Sequence, residues 1–160
     1  MGKFDPGAVY IIGEVDQLTG KHSDYYKIGL VGPTRTVEDR IERDHQTGNP
    51  RKIIDVHSFD TVAPHFVERH LHLHYASKRI FREWCKFTQQ ELQDVIAEAA
   101  RYDAAISPKV AAVRPFTLSE SNGQAASLTP VQLKEATKIH NELVKIEIDL
   151  QELMYMKSII

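Results

Sequence analysis

The chain has 160 residues, of which 42% are hydrophobic and 26% charged, as is typical of one soluble globular domain with an appendage. No apolar run approaches the roughly 18 residues that a membrane span needs, so no membrane association is expected. The formal net charge of −2 excludes a globally basic, histone-like binder, and any nucleic-acid contact must be local. Cys85 is the single cysteine, which rules out an internal disulfide and favours a reducing, cytoplasmic setting.

The first half of the chain predicts a hairpin, a helix and a third strand. Residues 8–15 and 25–31 are rich in β-branched and aromatic side chains and predict two strands. Thr36 begins a capping box, and we expect a helix over 37–46. The alternation over 52–61 predicts another strand.

The next elements follow the same logic. Pro64 suits the first turn of a helix that continues to about residue 76, because its missing N–H is not needed there. Residues 83–87 predict a short strand, and a capping box over 88–91 begins a third helix that runs to about residue 102. The order β-β-α-β-α-β-α predicts an α+β fold with a small mixed or antiparallel sheet flanked by helices.

The C-terminal part predicts an appendage to a domain spanning 1–106. Residues 107–128 are rich in Pro, Ser, Ala and Gly and predict a linker. Residues 129–160 predict an amphipathic, coiled-coil-like helix, whose seam consists of Ala136, Ile139, Leu143, Ile146, Leu150 and Leu153. Such a seam must be buried, and a homodimer is the simplest arrangement. Acidic flanking positions oppose a parallel pairing, so antiparallel pairing, docking onto the chain's own domain and a basic partner remain alternatives.

Short motifs lie in order along these elements. They are Val9-Tyr10-Ile11, Tyr26-Lys27-Ile28-Gly29, Arg40, Glu68 with His72, and Arg82-Glu83-Trp84. Together they resemble the GIY-YIG nuclease superfamily, and more closely its phage- and bacterium-borne branch with a Lys-Ile-Gly second half-motif. The resemblance covers roughly residues 7–100. It implies metal-assisted hydrolysis of phosphodiester bonds in nucleic acid, DNA rather than RNA, and a host-cell cytoplasmic setting if the chain is phage-encoded.

The resemblance also implies a role for each motif residue. Tyr10 would act as general base or orient the attacking water, and Lys27 would supply the positive charge that brings its phenol pKa nearer neutrality. Arg40 would bind the scissile phosphate. Glu68 would be the single carboxylate ligand of Mg²⁺ or Mn²⁺, with His72 on the same helical face.

Basic residues around these motifs predict a phosphate-contacting surface. The residues are Arg35, Arg43, Lys78, Arg79 and Arg82. An ordinary solvated surface explains the same residues, because charged side chains are usually exposed.

Departures from the family pattern keep other functions open. Members that cleave often carry His or Tyr four residues after the motif arginine, where this chain has Asp44 and places His45 one position later. One alternative is a catalytically silent module that binds nucleic acid or a protein partner through the same cleft. Another is an interaction protein whose folded domain is attached to a coiled coil.

The second predicted helix contains three alternating histidines, of which two could share a metal ion. On a strand, His70, His72 and His74 would line one face and suit Zn²⁺. On a helix, residues two apart point roughly 200° apart, so only His70 and His74 share a face. Cys85 is expected to be a core or edge residue, because nothing nearby in the sequence suggests a base to activate it.

Overall fold

The fold is known from a computed structural model that describes residues 2–122 and 129–159, with side chains for 2–113, 129–147 and 149. An antiparallel sheet of five strands has the order β3-β1-β2-β5-β4. The strands are β1 (Gly7–Val15), β2 (His22–Val31), β3 (Lys52–Thr61), β4 (Arg79–Phe81) and β5 (Trp84–Lys86). The predicted α+β class is confirmed.

The helices begin where the sequence signals place them. They are α1 (Val37–Arg40), α2 (Pro64–His74), α3 (Gln89–Asn122) and α4 (Pro130–Ile159). A π-helical segment, Ile41–Gln46, continues α1, and a short 3-10 turn, Ala76–Lys78, follows α2. The Thr88 box before α3 is reciprocal, since the Glu91 N–H donates to Thr88 Oγ1 at 3.2 Å and the Thr88 N–H donates to Glu91 Oε2 at 2.8 Å. None of the helices in the described ranges has the length and apolarity needed to cross a membrane.

Alternation along β1 divides the buried side chains between two faces of the sheet. Val9 and Ile11 belong to the larger cluster, which α2, α3 and α4 complete. Ala8, Tyr10 and Ile12 belong to a smaller cluster on the other face, together with residues of α1. Tyr10 therefore lies on the face of the sheet that α1 covers.

The short strand predicted over 83–87 is present as β5, one residue shorter at each end. Residues 82 and 83 form a turn between β4 and β5, and Arg82 has a positive φ of 51° there. β4 was not predicted, because a three-residue strand is too short to show alternation. The family motif Arg82-Glu83-Trp84 thus begins in a turn and enters the strand only at Trp84.

The structure also corrects the predicted linker, because α3 is helical through residue 122. Ile106, Val110 and Val113, at i, i+4 and i+7, are all buried in the main core. Burial of these three side chains offsets the free-energy cost of placing Pro108 inside a helix, which is about 3 kcal/mol. Residues 123–128 lie outside the part of the chain that the structure describes.

Helix α4 packs against α2 and α3 of its own chain. Leu143 is fully buried in the main core, and Ile139 and Ile146 pack against it. Glu147 accepts a hydrogen bond of 2.5 Å from Arg69 on α2 and also pairs with Lys3. Docking onto the chain's own domain is therefore the alternative that these residues adopt, while homodimerisation stays a prediction. The side chains of Leu150 and Leu153 are outside the described residues.

Candidate active site

Tyr10 lies near the middle of β1, an interior strand between β3 and β2. It pairs with Gly29 on β2 and Ser58 on β3, and its side chain is 1% exposed. A β-carbon at Gly29 would come within 2.5 Å of both Cζ and the phenol oxygen of Tyr10. The glycine of the second half-motif therefore leaves the space that the ring occupies.

His45 contacts Tyr10 and is the residue that the sequence analysis missed as a participant. Its Nε2 lies 3.1 Å from the Tyr10 hydroxyl, and the two ring centroids are 6.0 Å apart. His45 belongs to the π-helical segment after Arg40, in which backbone hydrogen bonds join residues five apart rather than four. The one-residue offset of His45 from the family pattern is therefore absorbed by the wider helical turn.

Arg40 lies at the C-terminal end of α1 beside the Tyr10 phenol. It pairs with Asp44 through Nη1, and Arg35 donates to the same Asp44 oxygen at 3.0 Å. The buried Nε of Arg40 has no hydrogen-bond partner among the described residues. Arg40 is thus oriented by Asp44 and keeps a donor available for another group.

Lys27 is paired differently from the prediction. Its Nζ lies 2.8 Å from a carboxylate oxygen of Glu83, in the turn between β4 and β5. Burial by itself would raise the pKa of Glu83, but the nearby Lys27, His72 and Arg40 together lower it. Lys27 therefore lies in the site as half of an ion pair, and Arg40 is the cation that acts on Tyr10.

The site holds a neutral phenol beside a neutral imidazole. Burial raises the pKa of Tyr10, the adjacent Arg40 partly opposes this effect, and Glu83 and Glu68 add to it. Burial, with Lys27 and Arg40 nearby, lowers the pKa of His45. Arg40, rather than the predicted Lys27, is therefore the cation that lowers the Tyr10 pKa, and desolvation of the phenolate outweighs its attraction.

Glu68 and His72, one turn apart on α2, lie within electrostatic range of this site. His72 Nε2 lies 3.6 Å from Glu68 Oε1. The His72 side chain is 6% exposed and that of Glu68 is 17% exposed. Neither ring nitrogen of the buried His72 has a hydrogen-bond partner in the described part of the chain. Glu68 influences the pKa of Tyr10 and His72 that of Glu83, so both belong to this site electrostatically.

Glu68 also has the properties of a ligand for a hard divalent cation. Among the described side chains, those of residues 2–113, 129–147 and 149, no Lys or Arg forms an ion pair with its carboxylate. A largely buried carboxylate without a cationic partner suits Mg²⁺, which commonly takes one or two protein carboxylates together with phosphate oxygens. The donors present therefore fit such an ion.

The predicted basic surface is only partly free. Three of its five residues pair with carboxylates, namely Arg35 with Asp44, Arg43 with Asp39 and Lys78 with Glu91. Arg79 donates to the backbone carbonyl of His72 at 3.1 Å. Arg79 and Arg82 form no ion pair with any described residue. Of the five predicted residues, the two without a carboxylate partner thus both lie on the β4–β5 hairpin.

The β4–β5 hairpin also exposes apolar side chains that the sequence analysis did not identify. Ile80 is 55% exposed and Phe81 is 64% exposed. The Arg82 guanidinium carbon lies 5.3 Å from the centroid of the Phe81 ring. The same turn carries Glu83, the partner of Lys27, so this aromatic and basic tip borders the site.

The small antiparallel sheet thus carries Tyr10 with His45 and Arg40 beside its phenol and Glu68 within electrostatic range of it. Residues 7–100 match the sequence model of the T5orf172 domain. The chain belongs to the T5orf172 domain family, which is nuclease-related. No curated protein and no solved structure matches it.

Proposed function

We propose that this chain is a metal-dependent endonuclease of the GIY-YIG type that hydrolyses phosphodiester bonds in nucleic acid, with DNA rather than RNA as substrate. The observation that carries the proposal is the 3.1 Å contact between Tyr10 and His45, with Arg40 beside the phenol. Hydrolysis needs an activated water, a cation for the phosphate oxygens and charge relief at the leaving oxygen. Each need has a candidate among these residues.

Tyr10 and His45 activate the water as a pair. The raised pKa of Tyr10 makes a free phenolate unsuitable as the resting base, and the lowered pKa of His45 leaves its imidazole neutral near pH 7. The phenol oxygen accepts a hydrogen bond from water and passes its own proton to His45 Nε2 as the water proton moves to the phenol. The charge thus develops on an imidazolium and not on a buried phenolate.

Arg40 binds the scissile phosphate. Its guanidinium is charged at any working pH, and its unpartnered Nε adds a donor to those on the outer nitrogens. Asp44 pairs with Nη1 of the same guanidinium. Arg40 therefore loses less side-chain conformational freedom when it binds a phosphate. Lys27, largely buried beside Glu83, adds positive potential where charge develops.

Glu68 and His72 form the metal side of the site. Mg²⁺ or Mn²⁺ bound through Glu68 would supply positive charge to the phosphate oxygens. His72 has two unpartnered ring nitrogens next to that carboxylate and is placed to hydrogen-bond a water or phosphate oxygen. A substrate group there would also satisfy polar atoms that are otherwise costly to bury.

The β4–β5 hairpin supplies contacts outside the reacting centre. Arg79 and Arg82 provide charge for the phosphate backbone, and Phe81 provides a face on which a base can stack. Arg35, Arg43 and Lys78 would join this surface by exchanging their carboxylate partners for phosphates.

Replacement of Glu68 by Gln tests the metal assignment. The change removes charge at nearly constant volume, so metal-dependent cleavage should be lost while the thermal midpoint is retained. Glu142→Gln, on the exposed surface of α4, is the matched control and should cleave like the parent. If Glu68→Gln cleaves as well as the parent, Glu68 is not the metal ligand.

A second candidate is a catalytically silent module that binds nucleic acid through the same cleft. It is favoured by one observation, that Asp44 and Glu83 already pair with Arg40 and Lys27, the two cations of the site. This module would bind nucleic acid with a steep dependence on salt and cleave nothing in Mg²⁺ or Mn²⁺. Binding and cleavage measured on the same preparation separate the two functions.

A further inference from the structure

A second group of metal-ligand side chains lies between helices α2 and α3. It consists of His70 and His74 from α2 and Glu98 from α3, whose donor atoms all lie within 4.8 Å of one another. The two histidines are one helical turn apart and share a face of α2. His72 projects from the opposite side, so this group is separate from the Glu68–His72 pair.

The geometry of the group is partly fixed before any ion binds. The His70 ring stacks on Tyr102, with centroids 3.8 Å apart and planes within 2°, which sets the direction of its nitrogens. His70 Nε2 lies 2.6 Å from Glu98 Oε1, and His74 Nδ1 lies 4.0 Å from the same oxygen. Glu98 and His70 are largely buried, whereas the His74 side chain is 51% exposed. The group therefore opens to solvent on the His74 side.

We propose that His70, His74 and Glu98 form a binding site for a divalent transition-metal ion of the zinc class. Two imidazole nitrogens and one carboxylate oxygen are a ligand set that suits Zn²⁺ better than Mg²⁺, which prefers oxygen donors. Three protein ligands leave a fourth, tetrahedral position for water. The ion would tie α2, the helix that carries Glu68 and His72, to α3.

Small shifts would convert the present contacts into coordination. Donors about 2.1 Å from a tetrahedral ion are roughly 3.4 Å apart, so the His70–Glu98 contact must widen and the His74–Glu98 contact must shorten. These two shifts are each under about 1 Å, and the His70 and His74 nitrogens, now within 4.8 Å of each other, must also lie about 3.4 Å apart. Because its side chain is half exposed, His74 can move by such a distance.

Arg101 would compete with a metal ion for Glu98, and this competition provides a test of the site. Its Nε donates to Glu98 Oε2 at 2.7 Å and its Nη2 donates to Glu98 Oε1 at 2.6 Å. The guanidinium competes for Oε1 and repels a cation, but its side chain is 68% exposed and can swing away. Removing this competitor should tighten metal binding, which a purely structural His70–Glu98–Arg101 network would not do.

The test is titration of metal-free full-length protein with ZnCl₂, followed by calorimetry and by thermal unfolding. The parent should bind one ion at micromolar or tighter dissociation constant and unfold at a higher temperature with Zn²⁺. His74→Gln should weaken binding at least tenfold, and Arg101→Gln should strengthen it. The matched control His22→Gln, an exposed histidine on β2, should bind like the parent.

Three results would overturn the site. They are the absence of Zn²⁺ binding by the parent, binding that is unchanged in His74→Gln, and binding that is lost in Glu68→Gln, which would assign the ion to the other pair. Because none of these readouts involves cleavage, the proposed nuclease function and this site can fail separately.

Discussion

The Tyr10 ring lies against the α-carbon of Gly29 on the neighbouring strand, so close that a β-carbon there would be 2.5 Å from the phenol oxygen. This contact joins the two half-motifs of the hairpin into one structural unit. Gly29 is needed for the position of Tyr10, and through Tyr10 for the hydrogen bond to His45. The glycine of the second half-motif thus has a steric cause.

Gly29→Ala should therefore displace Tyr10. We expect a loss of stability of about 1 to 3 kcal/mol, as for overpacking in other cores, and a large loss of cleavage. Urea unfolding of Gly29→Ala, Tyr10→Ala and the double variant measures the coupling. The cost of Gly29→Ala should largely disappear once the ring is absent, and strict additivity of the two losses would contradict the steric account.

Cleavage should depend on the protonation of His45. Since burial and two cations lower its pKa, the imidazole stays neutral to a more acidic pH than a free histidine, whose pKa is about 6.5. The cleavage rate should fall as the pH drops below 6.5, through the lowered His45 pKa, because an imidazolium cannot accept the Tyr10 proton. Rates between pH 5 and 8 should lose this dependence in His45→Asn, which also cleaves more slowly. An identical profile in the variant would remove His45 from the reaction.

Phe81 should contribute to nucleic-acid binding without contributing to the fold. Base stacking on an aromatic side chain contributes about 1 to 3 kcal/mol, so Phe81→Ala should weaken binding by roughly tenfold or more. Fluorescence anisotropy with a labelled oligonucleotide at fixed salt measures the effect. Leu18→Ala, which removes a side chain that is 97% exposed in the β1–β2 turn, is the control. Equal affinities of the two variants would exclude stacking on Phe81.

Helix α4 should stabilise the domain through Leu143. This side chain is 0% exposed, and its replacement by Ala should cost about 2 to 5 kcal/mol in the free energy of unfolding. Leu133→Ala on the same helix, where the side chain is 44% exposed, should change stability by under about 0.5 kcal/mol. Unfolding midpoints that rise with protein concentration would instead indicate that α4 packs between chains.

Local signals were sufficient for most of the fold. The capping boxes at Thr36, Thr88 and Thr129 mark helix starts, and each cap hydroxyl accepts the expected backbone hydrogen bond. The linker prediction was wrong because it relied on composition, including Pro108. It did not take account of the apolar residues from Ile106 to Val113, which are buried in the main core. Tertiary packing decides such cases, and it cannot be assessed from one segment alone.

The order of the motifs named residues of the candidate site but not their contacts. Arg40 lies beside the Tyr10 phenol, but the partner of Lys27 depends on the β4–β5 turn, which is too short to predict. His45 was noted only as a departure from the family pattern, one position after the expected residue. Only the π-helical segment brings it to Tyr10, and no residue pattern in the sequence signals that segment.

The most direct measurement of the central claim is cleavage of supercoiled plasmid and of single-stranded RNA by the full chain in Mg²⁺ or Mn²⁺. EDTA and Arg40→Ala test the two requirements, and Lys145→Ala, which removes an exposed cation on α4, is the control. We predict nicking of the plasmid that needs both the metal and Arg40 and is retained in Lys145→Ala. Salt-sensitive binding of both substrates without cleavage of either would contradict the nuclease and leave the silent binding module.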